Sequence, residues 1–156
     1  DGGIPAETVK QLLSSADPAV RAVAVRWAVG TSEEPRAIAA VRSDPDARVR
    51  AAAVEAVVAT ERDDALEAGF AALFDRAPDV RLAAGQALGR RGGDVVPRLR
   101  QLALAKKGQE ASGPLGALAF AGPEGQAALL EIAHTHSDEN TRGLARLLLG
   151  MDPRKH

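Results

Sequence analysis

The chain has 156 residues, of which 46% are hydrophobic and 26% are charged, and its 20 basic and 21 acidic side chains leave a net charge of −1. This balance argues against a dedicated binder of nucleic acid or another polyanion. The absence of cysteine excludes disulfides, thiol catalysis and cysteine-based metal sites. Aromatic residues make up only 3%, so alanine supplies much of the apolar content, and a core of small side chains favours closely packed helices over a sheet.

Apolar side chains recur at helical spacing in five stretches, and each stretch predicts an amphipathic helix, here called helix A. In chain order these stretches are Val9 to Leu13, Ile38 to Val41, Leu66 to Phe74, Val96 to Ala103 and Ala128 to Ala133. Ser32 and Thr60 are the predicted starts of the second and third of them, because small hydroxyl side chains cap helix N-termini.

A second helix, here called helix B, is predicted after each helix A. Acidic residues beside proline mark three of the starts, at Asp17-Pro18, Asp44-Pro45 and Pro78-Asp79, and Asp138 marks the last. Pro114 stands where the fourth helix B should begin, so that helix is expected to be short, shifted or kinked. Glycines are expected to end three of the B helices in the left-handed conformation, at Gly30, Gly89 and Gly150.

The B helices repeat one pattern around an arginine. The aligned arginines are Arg21, Arg50, Arg81 and Arg142, and the third residue after each is an alanine. The last gap has room for one further unit, Gly113 to Gly122, which lacks the arginine. Five units of roughly 4–30, 31–60, 61–91, 92–121 and 122–151 thus tile nearly all of the chain. Because one helix pair cannot bury both of its faces, we predict a single all-α domain, an α-solenoid of about five antiparallel pairs.

The pattern is clearest in the segment Asp79 to Gly89, and it resembles the HEAT repeat, in particular the short bacterial type first associated with phycobilisome lyases. The first unit departs from the pattern by carrying Trp27, and the fourth departs by Pro114 and the missing arginine. HEAT-like families include scaffolds, transport receptors, DNA-repair glycosylases, bilin lyases and one iron-dependent hydroxylase. The hydroxylase uses repeated His-Glu pairs, which this sequence lacks.

The resemblance implies a structural role for the repeated arginine. In HEAT-like repeats it bonds loop carbonyls or an acidic residue near the start of a helix B, here Asp17, Asp46 or Asp79 of its own or a neighbouring unit. The alternative is that these arginines form a row of exposed basic side chains that faces an acidic partner. We favour the structural role, because a guanidinium with five donors suits such bridging.

The resemblance also implies that the solenoid is a right-handed superhelix and that the B helices line its concave surface. The variable positions on that surface are Arg26, Glu55, Gln86 and Leu147, with Arg90 and Arg91 just beyond the third helix B. These residues differ from one repeat unit to the next, which is expected of a recognition surface and equally of a solvent-exposed face that binds nothing. The Arg90-Arg91 turn is favoured as a solvated loop over an anion site, and Trp27 is favoured as core, or as a lid over the end of the stack, over a binding aromatic.

No catalytic set, cofactor motif or metal site is predicted. The histidines are His134, His136 and His156, and the first two diverge on a helix because they are two residues apart. Adjacent carboxylates such as Asp63 and Asp64 are better explained as partners of a helix dipole.

The leading hypothesis is therefore a non-catalytic interaction or scaffold module of bacterial type that binds a partner protein or peptide. Nucleic-acid binding by an arginine-lined surface is the alternative, and a bilin-lyase-like subunit comes third, by analogy of fold. No apolar run suits a bilayer, so no membrane partner is expected. The chain begins at Asp1 instead of methionine, so we expect a fragment of a longer array or a processed product, with the cytoplasm as the default compartment.

Overall fold

The computed structural model describes residues 3–151, and that part of the chain contains α-helices, two short 3-10 segments and no strand. This confirms the predicted all-α solenoid fold, with ten helices in the predicted order. The helices are α1 Ala6–Leu13, α2 Pro18–Ala28, α3 Glu34–Ser43, α4 Ala47–Val58, α5 Asp63–Ala72, α6 Pro78–Gly89, α7 Val96–Ala105, α8 Ser112–Ala119, α9 Gly122–Thr135 and α10 Glu139–Leu148. The right-handed sense of the superhelix stays a prediction.

The chain divides into two compact units, one through Ala87 and one from Leu88 onward. In the first unit α4 lies at the centre, because α2, α3 and α5 all pack against it. In the second unit α7 packs on α8, α8 on α9, and α9 on α10. The five-repeat, single-domain organisation stays a prediction.

Carboxylate side chains cap three of the B helices. Asp17 accepts a hydrogen bond from the N–H of Ala19 at 2.8 Å, and Asp46 accepts one from the N–H of Arg48 at 2.9 Å. Asp138 accepts from the N–H of Thr141 at 2.8 Å in the last pair. These bonds satisfy N–H groups that the first helical turn leaves without a partner.

The predicted starts at Ser32 and Thr60 were wrong. Helix α3 begins at Glu34, and helix α5 begins at Asp63. The hydroxyl of Thr60 instead donates to the carbonyl of Val57 at 2.8 Å, so it closes the end of α4. The hydroxyl of a threonine between two helices can bond either the end of the first helix or the start of the second. Here it bonds the end of α4.

Two of the three predicted left-handed glycines are confirmed, and the third has another role. Gly30 and Gly150 have φ values of 78° and 69°. Gly89 is not among the glycines with positive φ. A Cβ there would lie 2.3 Å from the Cβ of Phe120, so this glycine permits close packing.

The fourth helix B is short, as expected. Helix α8 has only eight residues, and a 3-10 segment, Gly108–Ala111, precedes it. Pro114 is the third residue of α8, where a missing N–H costs no helical hydrogen bond. Proline therefore fits the first turn of this helix.

Alanine supplies much of the core of the described residues, as the repeat predicted, and larger apolar side chains such as Leu73, Leu88 and Leu115 fill the rest. The alanines three residues after each repeat arginine are fully buried: Ala24, Ala53, Ala84 and Ala145. The core interpretation of Trp27 was wrong, because this side chain is 44% exposed. Within residues 3–151, no helix combines the length and the hydropathy that a bilayer crossing requires.

Candidate functional site

The guanidinium of Arg21 joins two loops of the first unit. Its Nε and Nη2 donate to the two carboxylate oxygens of Asp44 at 2.9 and 3.0 Å, and its Nη1 donates to the carbonyl of Ser15 at 2.8 Å. A bidentate arginine–carboxylate pair is geometrically specific as well as strong. Arg21 therefore ties the loop before α2 to the loop before α4.

The same arrangement recurs one helix pair later. Arg50 donates to both carboxylate oxygens of Asp75 at 2.9 Å, and its Nη1 donates to the carbonyl of Asp44 at 3.0 Å. Arg81 then donates to the carbonyl of Asp75 at 2.8 Å. Each aspartate thus receives one arginine on its side chain and the next on its carbonyl, and we call this chain of bonds the arginine–aspartate ladder.

The carboxylates of the ladder are not those that the sequence analysis named. Asp44 and Asp75 accept the arginines, whereas Asp17 and Asp46 accept N–H groups at helix starts and Asp79 lies inside the first turn of α6. The Arg21 and Arg50 side chains are only 14% and 4% exposed. Their donors are used within the protein, so these two arginines offer little to an acidic partner.

The ladder also sets the charge state of its carboxylates. Burial acts to raise the pKa of Asp44 and of Asp75, but the arginine hydrogen bonds and backbone N–H groups outweigh it, and both pKa values lie below the ordinary one. For Asp46 the hydrogen bond from Arg48 lowers the pKa to about 2. All three side chains are therefore carboxylates at neutral pH.

The fourth repeat arginine, Arg142, belongs to the second unit. Its guanidinium donates to the carbonyl of His136 and to the carboxylate of Glu139. Arg146 donates to the same carboxylate at 3.1 Å. Arg142 again bonds a loop carbonyl, but the carboxylate that it contacts, Glu139, lies on the same helix.

The exposed face of the B helices in the first unit carries two of the predicted binding residues. Arg26 on α2 and Glu55 on α4 form an ion pair at 3.4 Å, with side chains 52% and 41% exposed. Val23 and Trp27, one turn apart on α2, are 41% and 44% exposed. We call Val23, Arg26, Trp27 and Glu55 the B face of the first unit. Gln86 occupies the corresponding position on α6 and is partly buried.

The Arg90-Arg91 turn opens the second unit. Arg90 is exposed, whereas Arg91 is partly buried and donates its backbone N–H to the carbonyl of Leu88 at 3.0 Å. Gly92 has a φ of 67° and begins a 3-10 turn that ends at Asp94. The two arginines therefore sit in different environments.

Leu147 lines a groove in the second unit. The groove has a volume of about 490 Å³ and lies between helix α10 and the 3-10 segment before α8. We call it the α10 groove, and its lining residues are Gly108, Gln109, Glu139, Asn140, Gly143, Leu144 and Leu147. Sequence reasoning found Leu147 from its repeat position. It missed Gln109 and Asn140, for which no repeat signal exists.

The two walls of the α10 groove are joined by hydrogen bonds. The N–H of Gly108 donates to the hydroxyl of Thr141 at 2.8 Å and to the carboxylate of Asp138 at 3.2 Å. Thr141 is fully buried. Hydrogen bonds from Thr141 lower the pKa of Asp138 below its ordinary value. These bonds fix the spacing of the walls before any ligand arrives.

His134 and His136 lie in different environments. The Nδ1 of His134 lies 2.7 Å from the carbonyl of Leu130 on an exposed part of α9. His136 is buried, and its Nδ1 accepts from the N–H of Asp138 at 3.0 Å. His156 lies outside the described residues. Among residues 3–151 no group of three metal-ligating side chains occurs.

A family model described as HEAT repeats matches residues 34–119, which is more than half of the chain. The match begins at the first residue of α3 and ends at the last residue of α8. No curated protein sequence matches the chain.

Proposed function

This chain belongs to the HEAT-repeat family, and on that premise we propose that it is a non-catalytic module that binds a partner protein or peptide on the exposed face of its B helices. HEAT repeats generally mediate protein–protein interaction. The identity of the B-helix face as the contact surface, and the absence of catalysis, are our proposals.

The exposure of Trp27 is the observation that carries the proposal. It is the only tryptophan of the chain, and it is 44% exposed on a B helix beside the exposed side chain of Val23. Tryptophan and arginine are enriched among residues that dominate binding energy at protein interfaces. An aromatic anchor flanked by Arg26 therefore suits a protein surface or peptide.

The charges of the B face indicate what kind of partner fits. Arg26 and Glu55 neutralise each other across α2 and α4, so the B face presents an apolar centre beside a balanced pair. Apolar cores with polar rims are typical of protein interfaces. We therefore expect a partner with an apolar anchor and no strong net charge.

Nucleic-acid binding loses its main support. That alternative depended on the repeated arginines, and the guanidiniums of Arg21 and Arg50 are already bonded to aspartates and carbonyls. The likeness to bilin-lyase subunits rests on the repeat type, which is an analogy of fold. Neither alternative has a site in the described residues that favours it over protein binding.

The single tryptophan supplies the test. A library of random peptides displayed on phage is selected against the immobilised full chain, and enriched peptides are synthesised and titrated while Trp27 emission is followed. We expect a saturable shift of the emission to shorter wavelength as the peptide covers the indole. Trp27→Ala should weaken peptide binding at least about tenfold, about 1.4 kcal/mol, when binding is measured by calorimetry.

The matched control is Leu104→Ala, which truncates an exposed apolar side chain on α7, an A helix. Its affinity for the peptides should stay within about twofold of the wild type. A second variant replaces Arg26, Glu55 and Gln86 with serine. Unchanged affinity in both this variant and Trp27→Ala, with no emission change, would overturn the assignment to the B face.

A further inference from the structure

The α10 groove contains two side-chain amides that have no partner in the described residues. Gln109 lies on the 3-10 segment, Asn140 lies in the first turn of α10, and both are exposed. Neither carboxamide makes a hydrogen bond within residues 3–151. A carboxamide has both donor and acceptor atoms, so each can bond the N–H and the carbonyl of a peptide unit.

The formal charges around the α10 groove balance, because the carboxylates of Glu139 and Asp138 equal in number the guanidiniums of Arg142 and Arg146. Glu139 is the only ionisable side chain of the lining. It accepts hydrogen bonds from Arg142 and Arg146, and these arginines lower its pKa below the ordinary value. A ligand with a net charge gains little here, and an uncharged ligand leaves the ion pairs intact.

The remaining wall of the groove is apolar and open. Leu144 and Leu147 lie three residues apart on α10, and so on one side of the helix. Leu147 is 68% exposed, the largest exposure among the large apolar side chains of residues 3–151. At Gly143 a Cβ would meet nothing within 4 Å, so the absence of a side chain there keeps the groove open above the helix.

We propose that the α10 groove binds a short, uncharged, extended peptide segment of the partner protein. One aliphatic side chain of the peptide packs on Leu144 and Leu147, and the carboxamides of Gln109 and Asn140 bond its main chain. The volume of about 490 Å³ lies within the range of ligand sites. The bonds from Gly108 to Thr141 and Asp138 hold the groove in shape, so binding needs little reorganisation. This inference rests on the proposed binding function and adds a second contact site.

Nuclear magnetic resonance of the ¹⁵N-labelled full chain tests the inference directly. The probes are blocked tetrapeptides, acetyl-Ala-X-Ala-Ala-amide, in which X is leucine, isoleucine, aspartate or lysine. Asn140 is the only asparagine of the chain, so its side-chain NH₂ signals are readily assigned. We expect these signals, and the amides of Gly108 and Gly143, to shift saturably with leucine or isoleucine at X and at least about fivefold more weakly with aspartate or lysine.

The variants separate the groove from the rest of the surface. Leu147→Ser should weaken the leucine peptide at least about fivefold, since burial of an aliphatic side chain drives the contact. Leu130→Ser, the same change at an exposed position on α9, should leave it unchanged. Shifts confined to Trp27 and Glu55 would overturn the groove inference while the binding function stands. The absence of any saturable shift at about 5 mM peptide would also overturn it, and phage-selected peptides that still bind Trp27 would preserve the broader proposal.

Discussion

Asp44 joins three segments of the first unit through two functional groups. Its carboxylate accepts Arg21 and the N–H of Asp46, and its carbonyl accepts Arg50. Asp75 has the same role, with Ala77 in place of Asp46. Since Arg50 is almost fully buried, its charge depends on Asp75 for compensation.

Replacing Asp75 with asparagine tests that dependence. The asparagine keeps an oxygen for the N–H of Ala77 but removes the negative charge opposite Arg50. We expect the free energy of unfolding to fall by about 3 kcal/mol, because an uncompensated charge remains in a buried position. Urea denaturation followed by circular dichroism measures the change.

The matched control is Asp64→Asn. Asp64 forms an ion pair with Arg62 at 2.8 Å, with side chains 54% and 47% exposed. Water screens an exposed pair, so the urea midpoint should hardly move. Equal losses in the two variants would show that burial of Arg50 does not decide the cost.

The repeated arginines were predictable from sequence, but their carboxylate acceptors were not. The family resemblance indicated loop carbonyls, and Arg21 does bond one. Asp44 and Asp46 lie in the same loop between α3 and α4, so the choice between them depends on which carboxylate that loop places against the guanidinium, and this is decided by tertiary packing. The sequence does contain a signal for these pairs, since Asp44 follows Arg21 by 23 residues and Asp75 follows Arg50 by 25 residues.

At the scale of elements, helices α8 and α9 approach each other closely because of one glycine. A Cβ at Gly125 would lie 2.1 Å from the carbonyl oxygen of Leu118 and 2.8 Å from the Cβ of Ala121. Leu118 lies in the last turn of α8 and Ala121 immediately precedes α9, so the backbone at both contacts is held by the helices and has little room to move.

Gly125→Ala should therefore destabilise the protein. We expect a loss of about 1 to 3 kcal/mol, because the new methyl group must displace backbone atoms. Gly116→Ala is the control, since a Cβ at this position in α8 meets nothing within 4 Å. It should stabilise the protein by about 0.5 to 1 kcal/mol through better helix propensity. Thermal unfolding measures both, and a loss of stability in Gly116→Ala would contradict the reasoning.

The helices themselves were readable from the sequence, whereas the α10 groove was not. Apolar periodicity and the acidic helix starts are local signals, and they indicated the helices of residues 3–151 other than α8, although the starts of α3 and α5 were misplaced. The spacing of the arginine repeat indicated α8. The groove joins Gly108 to residues 30 and 33 positions away. The fourth repeat departs from the pattern, so no alignment could place Gln109 opposite Asn140.

At the scale of the whole molecule, the net charge is near zero, yet many of the charged side chains form close ion pairs. Within residues 3–151, seven carboxylates have a pKa below the ordinary value, and a hydrogen bond from arginine or threonine contributes in each case: Asp44, Asp46, Asp64, Asp75, Glu131, Asp138 and Glu139. The folded chain therefore holds these protons less tightly than the unfolded chain does.

Acid should consequently destabilise the fold. A lowered carboxylate pKa contributes stability that is fully present above the ordinary value of 3.8 for aspartate and is lost as the pH falls through the folded value. For Asp46 that value is about 2. We expect the urea midpoint to hold between pH 7 and about pH 5 and to fall steadily from there to about pH 2. A variant with asparagine at both Asp44 and Asp75 should have a lower urea midpoint at pH 7 than the wild type. Its midpoint should also fall less on acidification, because two of the titrating groups are gone. A midpoint that does not change down to about pH 2 would show that these pairs contribute nothing to folding.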